Sequence, residues 1–239
     1  VTNTALRPMP SAIARLAALA PLDDIDIAAL HKAASGVRRV PARRELIGQG
    51  QPIAGANLLL SGWACRVSTL SDGRRQIVSL ILPGDLIGAG RQRNPVATSA
   101  ILALTEVTVM PAPKPRAEQS GSGLAEAYAL SGAWDEAYLL RNITRLGRMS
   151  AYERTADLFL EMHERLSLAG LSRGNTFPMP LTQQTLADTL GLTTVHVNRT
   201  LQAMRQDGSV TIGGGTVELH DPERLTRAVD RRPERVQLP

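Results

Sequence analysis

The sequence predicts an α+β chain with an N-terminal β-roll of jelly-roll type, a long helix and a C-terminal winged helix-turn-helix. Three observations lead there. Glycines recur at 50, 62, 73 and 84, at intervals of 12, 11 and 11 residues, through short β-branched and leucine-rich runs. Turn signals at that spacing suit a roll or barrel of short strands. The apolar residues then shift to steps of three and four, the period of a helix. Past residue 180, two short amphipathic segments meet at a glycine, and two β-prone runs flank Gly213-Gly214-Gly215.

Taken in order, residues 1–34 read as a small helical preface, with apolar Leu16, Leu19, Leu22, Ile25, Ile27 and Leu30 interrupted by Pro21 and the acidic turn Asp23-Asp24. Residues 35–115 form the β-roll. Its clearest piece is a hairpin, with strand-like runs at 62–70 and 75–82 around Asp72-Gly73, two residues that tolerate the positive φ of tight turns. Pro83-Gly84-Asp85 ends the second run. The Pro-, Gly- and Ser-rich stretch 111–123 cannot continue a sheet and reads as a connection. Residues 116–149 then hold that connection and a long helix over 124–149, with Leu139, Ile143 and Leu146 as an apolar stripe suited to another helix.

Residues 150–239 make the last domain. Ser150-Ala151-Tyr152-Glu153 fits a capping box, so a helix starts there, with Tyr152, Ala156, Phe159, Met162 and Leu166 inward and Gly170 as its stop. After Pro178 and Pro180 comes LTQQTLADTLGLTTVHVNRTLQAMRQDGS. Thr182 caps one helix, with Leu186, Ala187 and Leu190 inward and Gly191 at the turn. Thr193 caps a second, with Val197, Leu201 and Met204 inward. Two short helices joined through a glycine turn are the helix-turn-helix pattern, and 210–212 with 216–219 supply a wing.

The outward face of the second helix carries Thr194, Val195, Asn198, Arg199 and Gln202, with His196 at its boundary. These side chains suit base edges. Arginine pairs with guanine O6 and N7, asparagine with adenine N6 and N7, and valine can touch a thymine methyl. Thr182, Gln183 and the free amides of the first helix, with Thr193 at the start of the second, suit phosphate and positioning. Charge does not decide the matter: residues 181–220 hold two arginines, Arg199 and Arg205, against Asp188, Asp207 and Glu218.

The sequence resembles the Crp/Fnr family of transcription regulators over most of its length. The family signature LTxxxLAxxLGLTxxxVxR is matched by Leu181, Thr182, Leu186, Ala187, Leu190, Gly191, Leu192, Thr193, Val197 and Arg199. Gly62, Asp72-Gly73-Arg74 and Leu82-Pro83-Gly84-Asp85-Leu86-Ile87-Gly88 resemble turns of its cyclic-nucleotide-binding type of β-roll. The resemblance implies a sequence-specific regulator that is a homodimer along the 124–149 helix, reads a near-palindromic duplex through the 193–207 helix, and works with RNA polymerase.

Departures from the family pattern carry information. Where many relatives have an acidic residue in the reading helix, this chain has Thr194, Val195 and His196, which removes an acceptor for cytosine N4. Nucleotide-binding members have a Gly-Glu followed by an Arg-Ala or Arg-Ser pair. Here Gly88-Ala89-Gly90 lacks the glutamate, and the run Arg91–Thr98 does not reproduce the pair. The N-terminal cysteines of iron–sulfur members are absent too. No cofactor is expected, and the effector, if the roll still binds one, is unidentified.

Other chemistries find little footing. The one cysteine, Cys65, alternates with Trp63 and Val67 and reads as a core residue. The histidines are His31, His163, His196 and His220, so none lies inside the roll, as a metal-dependent enzyme on that fold requires. Arg38-Arg39 and Arg43-Arg44 read as a solvated rim. Asp23, Asp24 and Asp26 read as an unpatterned turn that resembles no calcium loop. No catalytic motif or carboxylate pair suggests an enzyme. The +5 net charge, from 27 basic and 22 acidic residues, admits nucleic acid as a partner without requiring it. No apolar run reaches membrane-spanning length and the N-terminus has no secretory pattern, so a cytoplasmic protein without a membrane partner is expected. The competing expectation is a small-molecule-binding or protein-interaction module whose winged helix does not read DNA.

Overall fold

Helix and strand boundaries follow local chemistry in the computed structural model, which describes residues 9–89, 95–116 and 122–232. Helices α1 (Met9–Ala17) and α2 (Asp24–Ala33) open the chain. Asp23 is the N-cap of α2, its carboxylate accepting from the Asp26 amide at 2.8 Å. Asp26 is buried and accepts from the Leu124 amide at 3.2 Å and from the Ser122 hydroxyl at 3.3 Å. The aspartates expected in an unpatterned turn are therefore a helix cap and a buried acceptor, a spacing that matches the capping rule.

Eight strands follow: β1 (Arg38–Val40), β2 (Glu45–Ile47), β3 (Asn57–Ser61), β4 (Ala64–Thr69), β5 (Arg75–Ile81), β6 (Leu86–Ile87), β7 (Ala100–Ala103) and β8 (Val107–Pro111). They pair as two four-stranded sheets, β1-β8-β3-β6 and β2-β7-β4-β5. Val40, Leu59, Ala64, Ile81, Ile87, Ile101, Ala103, Val107 and Val109 fill one apolar cluster drawn from both sheets. A second cluster seats α1 through Met9, Ala12 and Leu16 on Leu58, Leu60, Leu86 and Met110. Trp63, Cys65 and Val67 are all buried, as the alternation along β4 expects, and Arg38, Arg39, Arg43 and Arg44 are exposed. In the β4–β5 turn only Gly73 takes positive φ, at 86°; Asp72 instead accepts from the Arg74 amide at 3.0 Å. A turn of that form with one left-handed glycine closes a three-residue hairpin loop.

Helix α3 runs over Gly123–Arg148 and α4 over Ala151–Leu168. The break between them is the capping box: the Ser150 amide donates to Glu153 Oε2 at 2.7 Å, and the Glu153 amide to Ser150 Oγ at 3.3 Å. The α3 stripe is not the one expected. Leu140 and Ile143 are 60% and 68% exposed, whereas Leu139 and Leu146 are half-buried against their own chain. The remaining elements are β9 (Thr176–Pro178), α5 (Gln183–Leu190), α6 (Thr194–Gln206), β10 (Val210–Gly213), β11 (Thr216–Leu219) and α7 (Pro222–Ala228).

The described residues group into two compact units. One takes in the chain up to Val67, Leu80–Asp135 and Leu168–Gly170. The other takes in Ser68–Ser79, Glu136–Ser167 and the chain from Leu171 onward. Among the described residues, no helix is long and apolar enough to cross a membrane.

Candidate nucleic-acid interface

Two threonines and one glycine set the geometry of the α5–α6 pair. Thr182 Oγ1 accepts from the Thr185 amide at 3.1 Å, and Thr193 Oγ1 from the His196 amide at 3.2 Å. Each satisfies an amide that the first turn of a helix leaves without a partner. Gly191 ends α5 at φ 62°, ψ 38°, the left-handed C-terminal conformation that a β-carbon disfavours. A side chain there would also press on Leu146 Cδ2, 3.2 Å from an ideal Cβ. Leu186, Ala187, Leu190, Val197, Leu201 and Met204 are buried, so the pair packs through the positions its sequence spacing assigns.

The outward face of α6 is open. Val195 is 57% exposed, His196, Arg199 and Gln202 are exposed, and Thr194 and Asn198 are half-buried. Thr182, Gln183 and Thr193 are exposed at the two helix starts. All nine expected contact residues thus reach solvent, His196 at the edge of the face among them.

The acidic residues that blurred the charge count are largely engaged. Asp188 Oδ2 lies 2.7 Å from Arg75 Nη2, and its other oxygen accepts from Gln184 at 2.7 Å. Asp207 accepts from the Tyr152 hydroxyl at 2.8 Å and the Ser209 amide at 2.9 Å. Desolvation alone would raise the Asp207 carboxyl, but the hydrogen bonds from Ser209 and Tyr152 outweigh it and hold the group below its ordinary value. Arg205 donates to the Ile212 carbonyl at 3.3 Å and so braces β10 against α6, while the Arg199 side chain is exposed.

The wing turns through Gly214 and Gly215, both at positive φ, and β11 pairs with β10 on one side and β9 on the other. Strand β9 and helix α7 were not read from the sequence. Thr176-Phe177 before Pro178 is a short β-prone run with proline at its last position, an arrangement that edge strands tolerate. Asp221-Pro222-Glu223 is a cap, a proline at the first position and an acidic first turn, a complete helix-start signal. His220 ties the wing base, its ring nitrogens 2.9 Å from the Gly208 carbonyl and 2.8 Å from Thr211 Oγ1.

The same unit holds a buried ionic cluster. Asp157, with no solvent exposure, accepts from Arg141 at 2.7 Å, Arg145 at 2.8 Å and Arg231 at 3.0 Å. Glu161 binds Arg145 at 2.5 Å and Arg165 at 3.1 Å. Desolvation pushes the Asp157 carboxyl up, but the Arg141 hydrogen bonds and the charges of Arg145 and Arg231 pull it further down, below its ordinary value. The cluster joins the second half of α3, α4 and the segment after α7.

Among the described residues, no three His, Cys, Asp or Glu side chains gather as a metal site requires. Ala89 stands where the family pattern of a nucleotide-binding roll has its glutamate. Residues 90–94 of the departure noted above lie outside the described residues.

Comparison with known proteins agrees with this geometry. Residues 37–119 match the family model described as "Cyclic nucleotide-binding domain", and residues 153–228 the model described as "Crp-like helix-turn-helix domain". The chain is 35% identical to a "Nitrogen fixation regulation protein FixK" of Bradyrhizobium diazoefficiens, over 65% of this chain and 66% of that protein. It is 31% identical to a "Transcriptional activator protein FnrL" of Cereibacter sphaeroides, over 74% of this chain and 73% of that protein. The solved structure of FixK2 from Bradyrhizobium japonicum superposes at a TM-score of 0.69 and 25% identity, covering 83% of this chain and 98% of that one. Motif, wing and relatives converge: the chain belongs to the Crp/Fnr family of DNA-binding transcription regulators, which are not enzymes.

Proposed function

We propose that two copies of the chain read a near-palindromic duplex, each laying α6 in the major groove. The observation that carries this reading is the outward Arg199 beside Asn198 on a helix capped at Thr193. Arg199 pairs with guanine O6 and N7, Asn198 with adenine N6 and N7, and Val195 packs on a thymine methyl, while Thr194, His196 and Gln202 flank them. Thr182, Gln183 and the first-turn amides of α5, with Thr193, hold phosphates and set the register. Membership of a DNA-binding family sets aside the reading in which the winged helix docks only protein or small molecules.

Exposed Leu140 and Ile143 on α3 support pairing of two copies along that helix, since large apolar groups at that exposure gain by mutual burial. The further partner is RNA polymerase, and the working compartment the cytoplasm. Relatives named as transcriptional activators support an activating role. The effector of the β-roll stays unassigned, because the glutamate of the usual cyclic-nucleotide mode is missing.

The test is Arg199→Ala, measured against duplexes that vary one base pair at a time. Discrimination at one base pair of each half-site falls by about 1–3 kcal/mol, while weak, salt-sensitive binding persists. An unchanged base preference at every position overturns the assignment.

A further inference from the structure

The last turn of α5 is gripped from outside the reading motif at three consecutive residues. Asp188 Oδ2 takes Arg75 Nη2 at 2.7 Å, the Thr189 carbonyl takes Gln76 Nε2 at 3.2 Å, and the Leu190 carbonyl takes Arg154 Nη1 at 3.0 Å. A helix end ordinarily leaves these carbonyls to water or to its own cap. Here the donors sit 113 residues away on the β4–β5 hairpin and 36 residues away on α4. Arg154 and Gln76 come together beside Gly191, where an ideal Cβ would lie 3.5 Å from Arg154 Nη1 and 3.7 Å from Gln76 Oε1. The hairpin is also fastened to α3, where Asn142 Nδ2 donates to the Val78 carbonyl at 3.0 Å. Residues Ser68–Ser79 accordingly group with the unit that holds α4 to α7 and the second half of α3.

We infer that the β4–β5 hairpin is a strut between α3 and the reading motif, and that Arg75 and Gln76 are positioning residues for DNA reading. They touch no base. They act through Asp188 and Thr189, fixing the angle between α6 and the helix that carries Leu140 and Ile143. This rests on the proposed paired reading, because a single motif on a single half-site needs no fixed angle, whereas two motifs on one duplex do. Arg154 holds the Met149 and Leu190 carbonyls together and completes the grip.

Two duplexes separate positioning from simple folding support. One carries two copies of the sequence that the full chain enriches from a random pool; the other has one copy scrambled. Arg75→Glu sets a negative charge against Asp188 and weakens binding to the two-copy duplex about fivefold or more, while the one-copy duplex changes by less than about twofold. Arg75→Lys keeps the charge and stays close to the parent. The swap Arg75→Glu with Asp188→Arg restores most of the ratio between the duplexes, a ratio that a general gain in phosphate attraction does not move. The inference is overturned by an unchanged or tighter two-copy affinity in Arg75→Glu, by equal losses on both duplexes, or by a swap that recovers nothing. A parent protein that fails to prefer the two-copy duplex overturns the paired reading itself, and does so without any variant.

Discussion

Asp157 is the residue on which the reading unit turns, for it has no solvent exposure and three arginines depend on it. Removing one member of a buried charge cluster costs far more than an exposed pair is worth, because its partners remain buried and uncompensated. Asp157→Asn is expected to destabilise the chain by about 3–5 kcal/mol in a urea titration. The pH dependence follows from the depressed carboxyl. Its stabilisation is present above the ordinary aspartate value of 3.8 and is lost as pH falls through the lower native value. Parent protein therefore loses stability on acidification below about pH 4, and the asparagine variant lacks that part of the loss. None of this was legible in the sequence. Arg231 lies 74 residues from Asp157, and nothing local to either marks the partnership. Arg199, by contrast, was legible, because helix period and caps alone place it outward.

At the scale of elements, short-range signals succeeded and partner-dependent ones did not. The capping box at Ser150, the threonine caps of α5 and α6 and the Gly191 turn are each written within four residues of chain. Helix α7 carried an equally complete start signal, which the short length of its apolar pattern obscured. Strand β9 is three residues long and depends on β11 for its pairing, so propensity alone could not define it. Of the expected α3 stripe Ile143 is exposed while Leu139 and Leu146 are half-buried, and Leu140 is exposed in place of its neighbour Leu139, because only the fold decides which of two adjacent leucines turns outward. Leu140→Asp with Ile143→Asp places charge on an exposed helix face, so the single chain keeps its fold. Sedimentation equilibrium is expected to shift from dimer to monomer, with the affinity for a two-copy duplex reduced at least tenfold at protein concentrations that saturate the parent. A variant that still sediments as a dimer removes α3 as the pairing surface.

For the whole molecule, the order of roll, long helix and winged helix was readable because each part has its own period: turns every 11 or 12 residues, apolar steps of three and four, then paired caps around a glycine. What the roll senses was not readable, since the family's nucleotide-binding glutamate is replaced by Ala89. The hairpin contacts on α5 were also beyond reach, because the ion pair of Arg75 with Asp188 spans 113 residues. Paired reading requires two α6 faces to meet one duplex. Selection of bound duplexes from a random pool by the full chain tests that most directly. The expected result is an enriched inverted repeat with half-site centres one helical turn, roughly 10 base pairs, apart. A pool that enriches no sequence, or enriches only a single unrepeated element, would contradict it.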